Sequence, residues 1–175
     1  WSWIKSCVGR PDKLKREVRD YFDINFLCGW YVMTEYFMMV DQRVKNMMFA
    51  TWDGNIWYLI PYDNDTILGV RNDGKLIYDY DIDQDTYDAS IQNFAYAGHD
   101  SELWKLVRQA LQNELQETAQ KIRSVMSKEY VLNVLNEEFM NNWSKRIYNK
   151  DSEHKYIKPL LENNLDYLYS LQGNR

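Results

Sequence analysis

The stretch "MMVDQRVKNMMFATWDGNIWYLIPYDNDTILG", residues 38–69, decides how this chain is read. Two β-prone runs, "NMMFATW" and "NIWYLIP", flank Asp53-Gly54, a dipeptide suited to a two-residue type I′ turn. Pro61 has no N–H to continue a ladder, so it should end the second strand. Short oxygen-bearing side chains stand at the edges of this apolar hairpin, Asp41 and Asn46 before it and Asp63 and Asp65 after it. A hairpin brings its open ends together, so these four residues are expected to converge. One amide and several carboxylates suit Mg²⁺ or Mn²⁺, with phosphate oxygens completing the shell.

Outward from the hairpin the pattern turns helical. "INFLCGWYVMTEYFMMV" (24–40) is apolar on most of its faces, which predicts a central buried helix with Asp23 as its cap. Gly29 inside it costs about 1 kcal/mol against Ala, which predicts a close packing partner. Upstream, "RPDKLKREVRDYF" reads as a charged amphipathic helix with Pro11 in its first turn. Downstream, residues 62–99 read as a looser segment with a turn at "RNDGK" and an acidic tract, "DYDIDQD" (79–85). That tract lacks the Gly and Glu positions of an EF-hand loop and reads as a solvated acidic loop. "SELWKLVRQALQNELQETAQKIRSVM" and "SKEYVLNVLNEEFMNNWSKRI" keep 3.6-residue spacing, the second capped by Ser127, and a last helix covers 155–171. The expected fold is α+β and mainly α-helical: a single domain over residues 1–175, with the site on 11–69 and a helical bundle over 100–171.

Composition narrows the function. At 175 residues, 45% apolar and 15% aromatic, the chain can build a real core. A net charge of -5 argues against nucleic-acid or anionic-membrane partners, and no run approaches the length of a membrane span. Two cysteines, Cys7 and Cys28, without a CxxC pair predict free thiols rather than a zinc site or a disulfide framework. The opening "WSWIKSC" does not read as a signal peptide, and the chain is expected to be a piece of a longer protein.

Asp-x₄-Asn, then a hairpin, then Asp, is the order of parts in the C-terminal lobe of a protein kinase. With the apolar helix "INFLCGWYVMTEYF" ahead of it and "WYLIPYDNDTILG" at its end, the segment from about 21 to 69 resembles the CotH-type kinase-like proteins of bacterial spore coats. It looks in particular like their divergent relatives in bacteriophage structural proteins, and "YIKPLLENNLDYLYSLQGNR" fits the same relatives. The resemblance implies a kinase-like C-terminal lobe using Mg²⁺ or Mn²⁺ and ATP to phosphorylate Ser or Thr. By it Asp41 is the catalytic base, Asn46 and Asp63 bind the metal-bound nucleotide, and Asp65 is a second metal ligand or its support. It also implies a virion or bacterial-cytoplasmic setting, with other virion proteins and the rest of the parent polypeptide as partners.

Departures from the pattern keep a second function open. Met39-Val40 stands where ordinary kinases have His-Arg, and no Asp-Phe-Gly follows the hairpin. No Gly-rich phosphate loop and no strand lysine precede residue 20, so the nucleotide-clamping N-terminal lobe is expected to lie elsewhere and this piece alone to be inactive. The alternative is a non-catalytic building block of a tail or capsid protein. On that reading Asp41 satisfies loop N–H groups, Asn46 starts a strand, and an Asx-turn explains one of Asp63 and Asp65. Arg43 and Lys45, inside the Asp-x₄-Asn loop, are candidates to meet phosphate or plain surface charges.

Overall fold

Pro11 needs no N–H partner and has the backbone angle a helix start requires, and it opens helix α2, Pro11–Glu17. The computed structural model describes residues 1–37, 39, 42–43, 46–64 and 101–138. Ahead of α2 lies helix α1, Ser2–Cys7, and Gly9, with φ +70, turns the chain between them. Lys13 Nζ donates to Ser6 Oγ at 2.6 Å, and the Trp3 indole N–H donates to Glu17 Oε2 at 2.9 Å, tying α1 to α2. The helix predicted through Phe22 stops at Glu17 and tightens into a 3₁₀ turn, Val18–Asp20. From there the chain turns into a short extended stretch in which Phe22 forms a parallel bridge to Trp57.

Asp23 caps helix α3, Ile24–Tyr36, accepting the Phe26 N–H at 3.0 Å. The helix ends at Tyr36 rather than at 40, because Phe37 leaves helical geometry and the Met39 N–H returns to the Thr34 carbonyl at 2.9 Å. Nor is it buried all round. Leu27, Cys28, Tyr31, Val32, Thr34 and Glu35 face the interior, while Phe26 is 53% exposed. A Cβ built on Gly29 meets nothing within 4 Å among the described residues, so the close packing partner expected there is absent from them.

Strands β1, Met47–Thr51, and β2, Trp57–Pro61, pair antiparallel with Phe49 opposite Leu59 and Met47 opposite Pro61. Thr51 pairs with Trp57, so residues 52–56 form the connection, in place of the two-residue turn predicted at Asp53-Gly54. The Asp53 carboxylate explains the wider loop. It accepts the N–H groups of Asn55 at 2.8 Å and Ile56 at 2.9 Å and the Thr51 hydroxyl at 3.1 Å, a side-chain turn that replaces the tight backbone one. Gly54 supplies the left-handed residue, at φ +78. The hairpin is one-sided: Leu59 enters the core, whereas Met48, Trp52 and Ile60 are exposed.

The predicted helix from Ser101 breaks at Leu111 into α4, Glu102–Ala110, and α5, Gln112–Val125. Leu111 has left the helical region, and its buried side chain joins those of Leu103, Trp104, Leu106 and Val107 in the core. Cys7, Leu14, Val18, Leu27 and Tyr31 complete that core from the opposite side, with α4 lying on α2. Each such aliphatic or aromatic side chain contributes about 1.5–3 kcal/mol on burial. Both cysteines are buried free thiols.

The chain divides into two compact units, Trp1–Lys121 and Ile122–Arg175. In the second, helix α6, Lys128–Glu138, starts where Ser127 Oγ accepts the Tyr130 N–H at 3.1 Å, as its sequence predicts. The architecture is α+β and mainly helical, with one antiparallel hairpin among the described residues. The acidic tract 79–85 and the helix predicted over 155–171 lie outside the described residues.

Candidate functional site

The open end of the hairpin is where the site residues were expected to meet. Asn46 sits immediately before β1, and Asp63 two residues after β2. The Asn46 side-chain amide donates to the Asp63 carbonyl at 3.1 Å. Gln42 Nε2 donates to the same carbonyl at 2.9 Å. Both lone-pair positions of one backbone oxygen are thus used to hold the two ends of the hairpin together.

Asp63 has φ +54, the left-handed region that non-glycine residues seldom enter and that Asp and Asn tolerate best. Its side chain is exposed, and that of Asn46 is half-buried. Since the Asn46 amide nitrogen serves Asp63, its Oδ1 is the end left to accept from a ligand or to bind a cation.

Behind these residues the loop between α3 and β1 is anchored from three directions. Arg43 is fully buried, and its Nη1 meets Glu35 Oε1 of α3 at 2.5 Å. The guanidinium lies over the Tyr31 ring, 4.7 Å from its centroid. The Arg43 carbonyl accepts the Trp104 indole N–H at 3.0 Å, and the Gln42 carbonyl accepts that of Trp30 at 3.3 Å. Arg43 is therefore a structural cation, neither the surface charge nor the phosphate ligand that its place in the loop admitted. Met39, ahead of the loop, is buried.

Of the four predicted site residues, Asn46 and Asp63 are brought together, while Asp41 and Asp65 lie outside the described residues, as does Lys45. Among the described residues no group of three or more His, Cys, Asp and Glu is placed to hold a metal ion. The donor chemistry at this end of the hairpin is oxygen only, an amide and a carboxylate, which fits a hard cation such as Mg²⁺ and not a softer metal. Sequence reasoning missed Gln42, Glu35, Trp30 and Trp104. Gln42 lies inside the Asp-x₄-Asn spacing and was open to notice; the others act through tertiary contacts that no local pattern carries.

No helix among the described residues is long and apolar enough to cross a membrane. Comparison with curated proteins and with solved structures gave no match. The family described as CotH kinase protein matches residues 3–173, all but the ends of the sequence. On that match, with a mainly helical α+β fold and a hairpin whose open end gathers Asn46 and Asp63, the chain belongs to the CotH kinase protein family.

Proposed function

We propose that the chain carries the metal- and phosphate-binding side of a phosphotransferase that uses Mg²⁺ or Mn²⁺ and ATP and acts on a Ser or Thr hydroxyl. The observation that carries this reading is the double hold on the Asp63 carbonyl by Gln42 and Asn46. It holds residues 46 and 63 together at the open end of the hairpin, and a kinase-like site has an Asn before such a hairpin and an Asp after it.

Asn46 Oδ1 and the Asp63 carboxylate are the ligands a divalent cation would take, with Asp65 as a further ligand or a support for Asp63. A bound cation supplies positive charge beside the phosphate oxygens of ATP. Asp41 acts as the base: a carboxylate oxygen orients the attacking hydroxyl and accepts its proton. The Glu35–Arg43 pair and the Trp104 hydrogen bond anchor Arg43, between Asp41 and Asn46 in sequence, which lowers the cost of ordering a site there.

Residues before 20 fold as α1, α2 and a 3₁₀ turn, without a Gly-rich loop or a strand lysine. We place those phosphate-clamping parts elsewhere on the parent polypeptide, and expect residues 1–175 alone to bind ATP weakly and not to turn it over. The setting we infer is a phage or prophage structural protein, in a virion or in the bacterial cytoplasm, with other virion proteins as partners. Its support is the resemblance of the hairpin and C-terminal segments to such relatives.

A second reading, a non-catalytic virion building block that keeps the kinase fold, is favoured by Met39. A buried apolar residue stands there where ordinary kinases place a polar one. Calorimetric titration of the full parent protein with Mn²⁺-ATP separates the two. The phosphotransferase reading expects saturable binding that Asp63→Asn abolishes; equal binding by both proteins overturns it.

A further inference from the structure

Between α1, the 3₁₀ turn and the hairpin lies a cavity of about 480 Å³ that takes no part in the site at the hairpin's open end. Its walls are aromatic: Trp1, Trp3, Tyr21, Phe49 and Trp57 line it. Asp20 is the one charged side chain among the residues lining it. The walls are held by backbone. The Trp57 N–H donates to the Tyr21 carbonyl at 2.8 Å, and the Asp23 N–H donates to the Trp57 carbonyl at 3.2 Å. Trp3 stacks on Tyr21 at 4.2 Å with planes 19° apart, and its indole N–H is committed to Glu17.

The rings do not form a flat platform. Trp1 meets Phe49 at 5.5 Å with planes 87° apart, and Phe22 meets Phe49 at 70°, so the walls turn corners. Trp1 is 77% exposed, and Tyr21 and Trp57 also keep ring area in water. Burying that area would be favourable, so its exposure around a preformed hollow marks a binding surface.

We propose that this cavity binds a compact alkylammonium group, the chemistry shared by choline and trimethyllysine. Ring faces carry negative quadrupole charge, and several meeting at angles attract a cation from more than one side. The Asp20 carboxylate adds a full negative charge at the rim, and the chain's net charge of -5 favours a cation's approach. Anions are opposed by the same groups. A sugar would want a flat ring to stack on and several converging hydrogen-bond donors, where here the walls are angled and mainly apolar. Walls pinned by the residue 21–23 to Trp57 hydrogen bonds lose little freedom when a ligand enters.

The test is a tryptophan-fluorescence titration of the full chain with choline, with Nε-trimethyllysine, and with 3,3-dimethylbutan-1-ol, the neutral carbon isostere of choline. The ammonium ligands should saturate the signal, with choline bound about tenfold more tightly than the isostere, equivalent to about 1.4 kcal/mol. Asp20→Asn, on an exposed side chain and with melting temperature unchanged, should weaken choline about three- to tenfold while leaving the isostere as it was. Isostere binding as tight as choline, an Asp20→Asn variant that binds choline like wild type, or saturation by maltose where choline gives none overturns the proposal.

Discussion

Arg43 offers the sharpest perturbation of the frame behind the candidate site. Its side chain is 1% exposed and that of its partner Glu35 is 2% exposed, so neither charge has water to fall back on. Replacing Arg43 by Met keeps the bulk and removes the charge, leaving the Glu35 carboxylate buried without its guanidinium. Loss of one partner of a buried ion pair costs about 3–5 kcal/mol, a large part of a domain's total stability of roughly 5–15 kcal/mol. For a chain of this size each kcal/mol lowers Tm by about 2–4 °C, which predicts a fall of about 6–20 °C for Arg43→Met. Glu35→Leu should fall by a similar amount, since it removes the buried ion pair that Arg43 makes with α3. The double variant, with both charges gone, should recover to within about 1 kcal/mol of wild type, because a hydrophobic pair of similar volume replaces the ion pair. Thermal and urea unfolding of the four proteins give the cycle directly. Additive losses, with the double variant the least stable, would refute the assignment of Arg43 as a charge held by Glu35. So would a single-variant loss below about 1 kcal/mol.

Two titrating groups make further expectations. Hydrogen bonds from the Asn55 and Ile56 N–H groups, and then from the Thr51 hydroxyl, hold the Asp53 carboxyl below its ordinary 3.8. A depressed pKa stabilises the fold above the unfolded value, and that contribution is lost as pH falls through the folded one. The stability gap between wild type and Asp53→Ala should therefore be present at pH 7 and shrink on acidification below pH 3.8; urea midpoints that keep a constant gap from pH 7 to 2 would contradict this. Burial, reinforced by the Glu114 charge and partly offset by Arg19, pushes the Cys28 thiol up from 9.0 to about 12. A raised pKa stabilises the fold below the unfolded value, so wild type should lose stability relative to Cys28→Ala as pH rises from 9.0 towards 12. The native thiol should also resist Ellman's reagent at pH 8 until urea is added, and rapid native labelling of Cys28 would contradict the burial.

Much of the frame was legible because it is local. Pro11 at a helix start, the Asp23 and Ser127 caps, two β-prone runs and the halt at Pro61 each act within a few residues of themselves. Errors came where a side chain or a distant residue overrode a local rule. Asp53-Gly54 has the dipeptide of a tight turn, yet the Asp53 carboxylate gathers three donors and spreads the connection over residues 52–56. Leu111 interrupts an unbroken helical period to enter the core. Phe26 of α3 looked like interior and is 53% exposed. At the site, the meeting of Asn46 and Asp63 follows from hairpin geometry, whereas the Glu35–Arg43 pair and the Trp104 hydrogen bond join α3, the loop and α4 across the fold. A charged loop residue gives no sign in sequence of whether it faces water or a buried carboxylate. The aromatic cavity was equally hidden, since Trp1, Tyr21, Phe49 and Trp57 meet only once the extended stretch before α3 bridges to β2.

We propose that the open end of the hairpin holds a divalent cation between Asn46 and Asp63. Mn²⁺ binding read by electron paramagnetic resonance on wild type, Asn46→Leu and Asp63→Asn tests it without needing turnover. Asn at 63 keeps the left-handed backbone and the carbonyl that Gln42 and Asn46 hold, and removes only the carboxylate charge. One saturable Mn²⁺ site is expected in wild type, weakened at least about tenfold in each variant, equivalent to about 1.4 kcal/mol. The melting temperature should be unchanged for Asp63→Asn and lowered for Asn46→Leu, which also loses the hydrogen bond to the Asp63 carbonyl. Equal Mn²⁺ binding by all three proteins, or none by wild type, would contradict it.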